Sequence, residues 1–384
     1  MSTQSGQKIF SRDFILCFFA YLAFSSVFNI LIPTLPIYLS RLGSNEVEIG
    51  ILIGSFTVSS VVLRPFVGKA LLRIPEKTFM MGGALLYMFT SVGYLFFPPF
   101  FPFLIVRLFQ GIGYAFFQTA SFTLIANTSS EAHRGQSFSY FYLAFNISNV
   151  LAPPLGMFLI TRFSFRLLFL VCMGLSLCSL LIASRVVRRR VTPLEGPSAE
   201  NGFLINRKAL PPALVCFFSF FIWGALAAFF PLYAVNHGVD NPGLFFTTVA
   251  MMTILCRSFG GKILDRYGRE RIILPCITTY IISMVILAFS TTLPMFILVA
   301  SIYGMGPAFL TPTLVAYTLD RVGSSTGQAM GTFQAVTDLG MTLGPVIMGM
   351  VLHATNYPTL FLCLALSGLI DLSYFYFFVR KKGT

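Results

Sequence analysis

The chain has 384 residues, of which 56% are hydrophobic and 10% charged, with a mean hydropathy of +0.82. A soluble domain carries about 25% charged residues, so a soluble fold is excluded. The net charge of +13 does not indicate a nucleic-acid partner, because the basic residues sit in alternate loops between apolar runs.

Those apolar runs are about 20 residues long, enough at about 1.5 Å per residue to cross a hydrocarbon core about 30 Å thick. Backbone polar groups in lipid need internal partners, so each run is expected to be a helix. In chain order the runs predict helices over 12–39, 45–70, 77–98, 100–126, 134–161, 164–185, 209–235, 243–265, 271–291, 293–318, 325–352 and 357–380. The first run is preceded by a polar stretch and followed by no small-residue cleavage site, so it is expected to remain as the first helix. Cys17, Cys172, Cys178, Cys216, Cys256, Cys276 and Cys363 all fall within apolar runs, and no disulfide framework is expected. The expected fold class is an all-α membrane protein with twelve transmembrane helices.

Basic residues such as Lys8, Arg12, Lys69, Arg73, Arg134, Arg207, Lys262, Arg321 and Lys381 fall on the side of the two termini, whereas Arg41, Arg162 and Arg166 fall opposite. This positive-inside asymmetry places both termini in the cytoplasm of a multi-pass inner (plasma) membrane protein, as an even helix count also requires. Arg188, Arg189 and Arg190 open the one long polar connection, which contains Pro193, Gly196 and Pro197 and extends to Lys208. It reads as a linker. The expected division is therefore an N-terminal six-helix bundle at 1–185, a cytoplasmic linker at 186–208 and a C-terminal six-helix bundle at 209–384.

The two halves resemble each other. At an offset of 193, Arg64-Pro-Phe-Val-Gly68 meets Arg257-Ser-Phe-Gly-Gly261, and Gly111 and Gly113 meet Gly304 and Gly306. Pro36-Ile-Tyr38 answers Pro231-Leu-Tyr233 within two residues of that offset. At 192, Tyr142, Asn146 and Pro153 fall on Gln334, Asp338 and Pro345. A duplicated six-helix unit suits transport, because two similar bundles can rock about a site between them.

Between the eighth and ninth helices, Gly261-Lys-Ile-Leu-Asp265-Arg266-Tyr-Gly268-Arg269-Glu-Arg271 resembles the loop signature of the major facilitator superfamily. Arg107-Leu-Phe-Gln110-Gly111-Ile-Gly113 resembles its fourth-helix signature. Ala152-Pro153-Pro154-Leu155-Gly156 and Gly340-Met-Thr-Leu-Gly344-Pro345 resemble the fifth-helix signature of its antiporters. The resemblance spans essentially the whole chain and implies two pseudo-symmetric six-helix bundles. It also implies a cytoplasmic gate made by Arg257, Gly261, Asp265, Arg266, Gly268 and Arg269. The first-half counterpart, Gly68 to Lys77, lacks the Asp and the second Gly.

Independently of any family, Arg107, Gln110, Tyr114, Gln118 and Ser121 are spaced by 3, 4, 4 and 3 residues and form one polar stripe at about 100° per residue. An arginine within a span costs about 2.5–3.5 kcal/mol on insertion scales, so it should face a partner or a watery cavity. A hydrogen bond to a neighbouring helix is the structural alternative. Asp338 is the one carboxylate placed deep in an inner helix, four residues from Gln334. It is read either as a proton carrier, with Arg107 as its companion in coupling, or as a charge partner of Arg107. Asp371 in the twelfth helix is a lesser candidate.

The resemblance implies a central cavity lined from the first, fourth, seventh and tenth helices. Tyr21 and Asn29, then Gln110, Tyr114 and Gln118, then Trp223 and Tyr303 would face it, joined by Asn146 and Gln334. Trp223 also suits an interfacial anchor or simple packing. Such a wall favours an amphipathic, weakly charged or anionic solute over a polycation. No HExxH, P-loop, nucleophile elbow or Cys/His metal spacing is present, which argues against an enzyme, and no stretch is long enough for a sensor's soluble signalling domain. The sequence therefore predicts a monomeric secondary transporter with no cofactor or metal, whose partners are a small-molecule substrate, protons and the lipid bilayer. Proton-coupled efflux is the expected direction, and proton-coupled uptake of a nutrient or organic anion the alternative.

Overall fold

The computed structural model describes residues 11–97, 100–129, 134–187, 206–266, 269–322 and 326–380. Among them there is no strand. The helices are α1 (Arg12–Arg41), α2 (Glu46–Ala70), α3 (Glu76–Phe96), α4 (Phe101–Thr128), α5 (Arg134–Arg162) and α6 (Phe165–Ala183). These are followed by α7 (Leu210–Asn236), α8 (Gly243–Arg266), α9 (Arg269–Ala288), α10 (Leu293–Val322), α11 (Thr326–Ala354) and α12 (Tyr357–Tyr374), the last running into a π-helical turn at Phe375–Val379. From α1 to α11 every helix begins and ends within four residues of the bounds read from the sequence. Of the linker expected at 186–208, only 186, 187 and 206–208 lie within the described residues.

Ten of the helices are long and apolar enough to cross a membrane. α4 falls short because Arg107, Gln110 and Gln118 interrupt it, and the described apolar part of α8 is the shorter run Gly243–Ser258. Their polar faces would be exposed to lipid if these helices stood alone, so packing decides where the polar atoms go.

The connections repeat along with the helices. α1 ends at Gly43 (φ +88°), whose N–H bonds the Ser40 carbonyl at 3.0 Å while the Ser44 N–H reaches back to Leu39 at 3.1 Å. α7 ends at Gly238 (φ +75°), with Gly238 bonded to Val235 at 2.9 Å and Val239 to Ala234 at 3.0 Å. Both are Schellman caps, which need a left-handed residue that glycine adopts without a Cβ penalty. The N-caps repeat too: the Ser164 hydroxyl accepts from the Leu167 N–H at 3.3 Å to start α6, and the Asn356 side chain accepts from the Thr359 N–H at 3.0 Å to start α12.

By its internal contacts the chain forms two compact units, one of Met1–Leu31 with Ser59–Ala199 and one of Ile32–Val58 with Glu200–Thr384. In the first unit α3 lies against α4 and α6. The α3–α4 seam closes at Gly83, where an added Cβ would stand 2.6 Å from the Gly113 carbonyl oxygen. Phe24 of α1 stacks on Phe117 of α4 at 4.0 Å and leans on Tyr87 of α3 at 4.1 Å, all three buried. The Ser179 hydroxyl of α6 donates to the Ala20 carbonyl of α1 at 2.8 Å.

In the second unit α11 is held on two sides. Gly340 and Gly344 let it ride on the Phe217 and Phe221 carbonyls of α7, and a Cβ at Gly224 of α7 would meet the Met341 carbonyl of α11 at 2.6 Å. The start of α2 covers another side: Gly50 faces the Pro345 carbonyl, and a Cβ at Gly54 would meet the Thr342 carbonyl at 2.7 Å. Glycines four residues apart allow this backbone approach, where van der Waals contact and not the hydrophobic effect joins helices in lipid. The seam ends at Glu46, whose carboxylate lies 3.0 Å from Nδ1 of His353. Asn45 and Glu48 cap the start of α2 reciprocally, at 3.1 and 2.9 Å.

Overfilling the α3–α4 seam is expected to destabilise the fold. Gly83→Val must separate the helices or distort them, at a cost of about 1–3 kcal/mol. A lower melting temperature of the detergent-purified protein checks this, with Gly174→Ala as comparison, since a Cβ at Gly174 meets nothing within 4 Å.

Candidate functional site

α4 carries its polar residues on one face, as their spacing requires, but packing divides them into two clusters. In the first, Gln110 is the hub. Its Oε1 accepts from Nη1 of Arg107 at 2.6 Å and from the Tyr94 hydroxyl of α3 at 2.5 Å. Arg107 is 6% exposed and Gln110 1%, so the guanidinium is held inside protein, not lipid. Charge-assisted bonds of this kind are the stronger ones, and an amide oxygen with two lone pairs can serve both donors.

The second cluster lies farther along α4. Nε2 of Gln118 donates to the Tyr114 hydroxyl at 3.0 Å, and Oε1 of Gln118 accepts from Nη2 of Arg64 on α2 at 3.0 Å. Tyr21 is 1% exposed and is sandwiched against Phe141 of α5, with ring centroids 4.8 Å apart. Ser121, the last member of the expected stripe, bonds its own helix instead, at the Phe117 carbonyl. Asn29 is fully buried; its amide nitrogen donates to the Ser148 hydroxyl of α5 at 2.9 Å, while its Oδ1 has no partner among the described residues. Asn146 is half-buried on α5.

The second unit has a different chemistry. Asp338 is 5% exposed on α11 and accepts from Nε2 of Gln334 at 3.1 Å; Gln334 itself is exposed. The Thr342 hydroxyl bonds the Asp338 carbonyl at 3.0 Å. An aromatic group rises from α7, α9 and α10: Trp223 stacks on Tyr303 at 6.0 Å, and Tyr303 meets Tyr280 at 4.9 Å. Asp371 of α12 is 1% exposed, and its Oδ1 has no hydrogen-bond partner among the described residues. No group of His, Cys, Asp and Glu among the described residues is arranged to hold a metal ion.

Of the expected gate, Arg257 is described and is exposed. Its Nε and Nη2 donate to the Ala308 and Pro307 carbonyls of α10, at 3.2 and 3.3 Å. Pro312 has no N–H to offer the Ala308 carbonyl four residues before it, so Arg257 satisfies an oxygen that the proline leaves open. Gly261, Asp265 and Arg266 fall at the end of α8 and Arg269 opens α9, but their side chains, like Gly268, lie outside the described residues.

The sequence reading missed Arg64 as a site residue and did not anticipate Tyr94 or Tyr280. Arg64 had a signal, since it is an arginine inside a span; the tyrosines had none that separates them from ordinary packing.

This arrangement of twelve helices with polar clusters inside each unit agrees with what the chain resembles. Residues 17–257 and 213–384 match the description Major Facilitator Superfamily. The chain belongs to the Major Facilitator Superfamily. It is 25% identical over 374 residues to the staphylopine export protein of Staphylococcus aureus (strain Mu50 / ATCC 700699), covering 91% of each chain. It is 22% identical to the quinolone resistance protein NorA of Staphylococcus aureus (strain COL), covering 88% of each. Among solved structures, the nucleoside transporter NupG shares the fold with a TM-score of 0.79 at 16% identity, over 95% of this chain and 98% of that one. The protein is thus a multi-pass membrane transporter of this superfamily, with the major facilitator fold.

Removing the hub of the first cluster should be felt. Gln110→Leu takes away the acceptor shared by Arg107 and Tyr94, and a loss of about 1–3 kcal/mol is expected. Thermal unfolding in detergent reads it, with Gln110→Glu, which keeps an acceptor, retaining more of the stability.

Proposed function

We propose that this transporter moves a small organic solute by alternating access and couples its export to proton entry. The observation that carries the reading is Asp338: a carboxylate buried within α11, hydrogen-bonded by Gln334, in a helix held close on both sides by glycine contacts. A buried intramembrane carboxylate is a functional-site hypothesis by default. Relatives whose names describe export and drug resistance support the outward direction. Both termini face the cytoplasm, as the basic loops require, and the protein acts as a monomer without cofactor. Transport, and not catalysis, is its work.

Arg107 is the companion of Asp338 in coupling, its guanidinium fixed by Gln110 so that its charge stays at one depth. Asn29 and Gln110 in the first unit, and Trp223 and Tyr303 in the second, are the residues on which solute binding depends. The bundles 1–185 and 209–384 are the moving parts, joined by the linker 186–208, and the loop from Gly261 to Arg269 gates the cytoplasmic face.

Inside-out vesicles test coupling and direction together. With a quinolone as probe, an imposed proton gradient, acid inside, is expected to drive accumulation. Asp338→Asn should abolish the gradient-driven part while leaving solute counterflow. Undiminished gradient-driven accumulation in Asp338→Asn removes that carboxylate from the mechanism, and accumulation driven only by an inward-directed gradient, acid outside, turns the reading to uptake.

The α2–α11 seam tests the cycle. Cysteines at Glu46 and His353, joined by a short thiol crosslinker, should stop transport, and cleavage of the link should restore it. Full transport in the linked protein contradicts alternating access at this seam.

A further inference from the structure

α12 turns one face into the second unit: Phe361, Leu364, Gly368, Asp371 and Phe375 follow one another at three or four residues and are all buried. Asp371, the one charged residue of α12, therefore lies on the packing face, and it is 1% exposed. One turn before it, Gly368 rests on α9 and α7, where an added Cβ would stand 2.8 Å from Cγ1 of Ile281 and 3.9 Å from Cδ1 of Ile222. Inside this seam the Oδ1 of Asp371 meets no hydrogen-bond donor among the described residues.

The helices packed against α12 bring no cation to that depth. α7 contains no charged residue, α11 contains no Lys or Arg, and the basic residues of α9 are confined to its first turn, at Arg269 and Arg271. Along α12 itself the first cation is Arg380, about 13 Å of helix beyond Asp371, and it pairs with Glu270 at 3.5 Å. Arg321 of α10 reaches the Val379 carbonyl at 2.9 Å. The titratable groups at about the level of Asp371 are Cys216 of α7, Cys276 and Tyr280 of α9, Asp338 of α11 and Tyr374 of α12. All are acids, and His353 stands at the far end of α11.

The repeat indicates which chemistry fits this place. At the offset of 192 that relates the N-caps Ser164 and Asn356, Asp371 falls on Ser179 of α6, whose hydroxyl donates to the Ala20 carbonyl of α1 at 2.8 Å. The first unit thus holds its matching helix with a hydrogen-bond donor. A carboxylate only accepts, whereas the protonated acid carries an O–H and can donate. An ionised carboxylate shut away from water and cations is costly, and a proton removes that cost. One turn on, α12 widens into the π-helical turn Phe375–Val379, a local rearrangement common at functional sites.

We propose that Asp371 is a second proton-binding site, distinct from Asp338, and that its proton docks α12 on α7. The protonated acid holds the contact, and the bare carboxylate, which must reach water, opens it. On opening, the proton passes to water and the electron pair of the O–H bond stays on the carboxylate. The site goes beyond the coupling role of Asp338 and does not depend on it, nor on the solute or the direction of transport.

The detergent-purified full-length protein tests this with pH as the only variable. A carboxylic acid has an infrared carbonyl stretch that a carboxylate lacks. At neutral pH the wild type and Asp338→Asn should show such a band that is missing from Asp371→Asn, and it should fade as the pH is raised. Deuterium exchange of the α12 backbone reads the docking. Compared at the same pH with Asp371→Asn, which stays neutral, wild-type exchange should quicken about tenfold per pH unit while the band is present, the slope for release of one proton on opening. Asp371→Ser copies the hydroxyl of the first unit and should hold α12 without that slope, which covers the case in which Asp371→Asn does not fold.

The absence of any band that depends on Asp371, a band that persists until the protein unfolds, or wild-type exchange that keeps a constant ratio to the variants across pH each overturns the proposal.

Discussion

A polar atom carried into hydrocarbon must find a partner, and much of this molecule follows from how that demand is met. α4 brings an arginine, two glutamines and a tyrosine into a span, and its neighbours are arranged to receive them. Tyr94 is on α3 where Gln110 needs a donor, and Arg64 is on α2 where Gln118 has an oxygen to offer. The close α3–α4 seam at Gly83 and Gly113 is what lets a side chain the length of a tyrosine close the first network. Polar satisfaction and glycine packing are therefore two sides of one constraint: helices must come near enough for hydrogen bonds to span the gap.

The duplication is recorded most faithfully where backbone geometry is exacting. Gly43 and Gly238 end α1 and α7 in the same left-handed cap, and Ser164 and Asn356 start α6 and α12 with the same side-chain bond. These positions have few alternatives, because a Schellman cap requires positive φ and an N-cap requires a short acceptor. Side chains directed inside the units have no such restriction. Asn146 is neutral where Asp338 is acidic, and Gly83 and Gly113 seal α3–α4 while Gly304 meets Val249 of α8 in the other half. Duplication kept the frame and let its contents diverge.

The helices are legible in the sequence because a span is defined by length and hydropathy, both properties of consecutive residues. α10 runs four residues beyond its expected end, through Arg321, because that basic residue does not stop the helix but caps the Val379 carbonyl beside α12. The polar stripe of α4 is legible as a face, but a 100° spacing does not say which neighbour each residue meets, so its division between α3 and α2 is not. The grouping of Ile32–Val58 with Glu200–Thr384 is likewise hidden. Its local cue, Gly50 and Gly54 four apart, signals that some helix approaches closely without saying which one. Asp371 ranks low on sequence grounds for its place in an outer helix, yet it is buried more deeply than Asp338; its environment depends on residues far away in the chain.

Arg64 and Arg257 show why a sequence repeat alone misleads about role. Aligned at a fixed offset, they read as one device copied twice, and nothing in the two arginines themselves distinguishes them. The distinction is made on other helices, by Pro312 in α10 and by Thr119 at the matching place in α4. A proline in a membrane helix opens a carbonyl that some donor must close, and in the second unit Arg257 is that donor. Without a proline no carbonyl of α4 is left open in this way, and in the first unit Arg64 bonds the Gln118 side chain. A single ring closure on a neighbouring helix thus gives one of two aligned cations a backbone carbonyl to satisfy that its counterpart does not face.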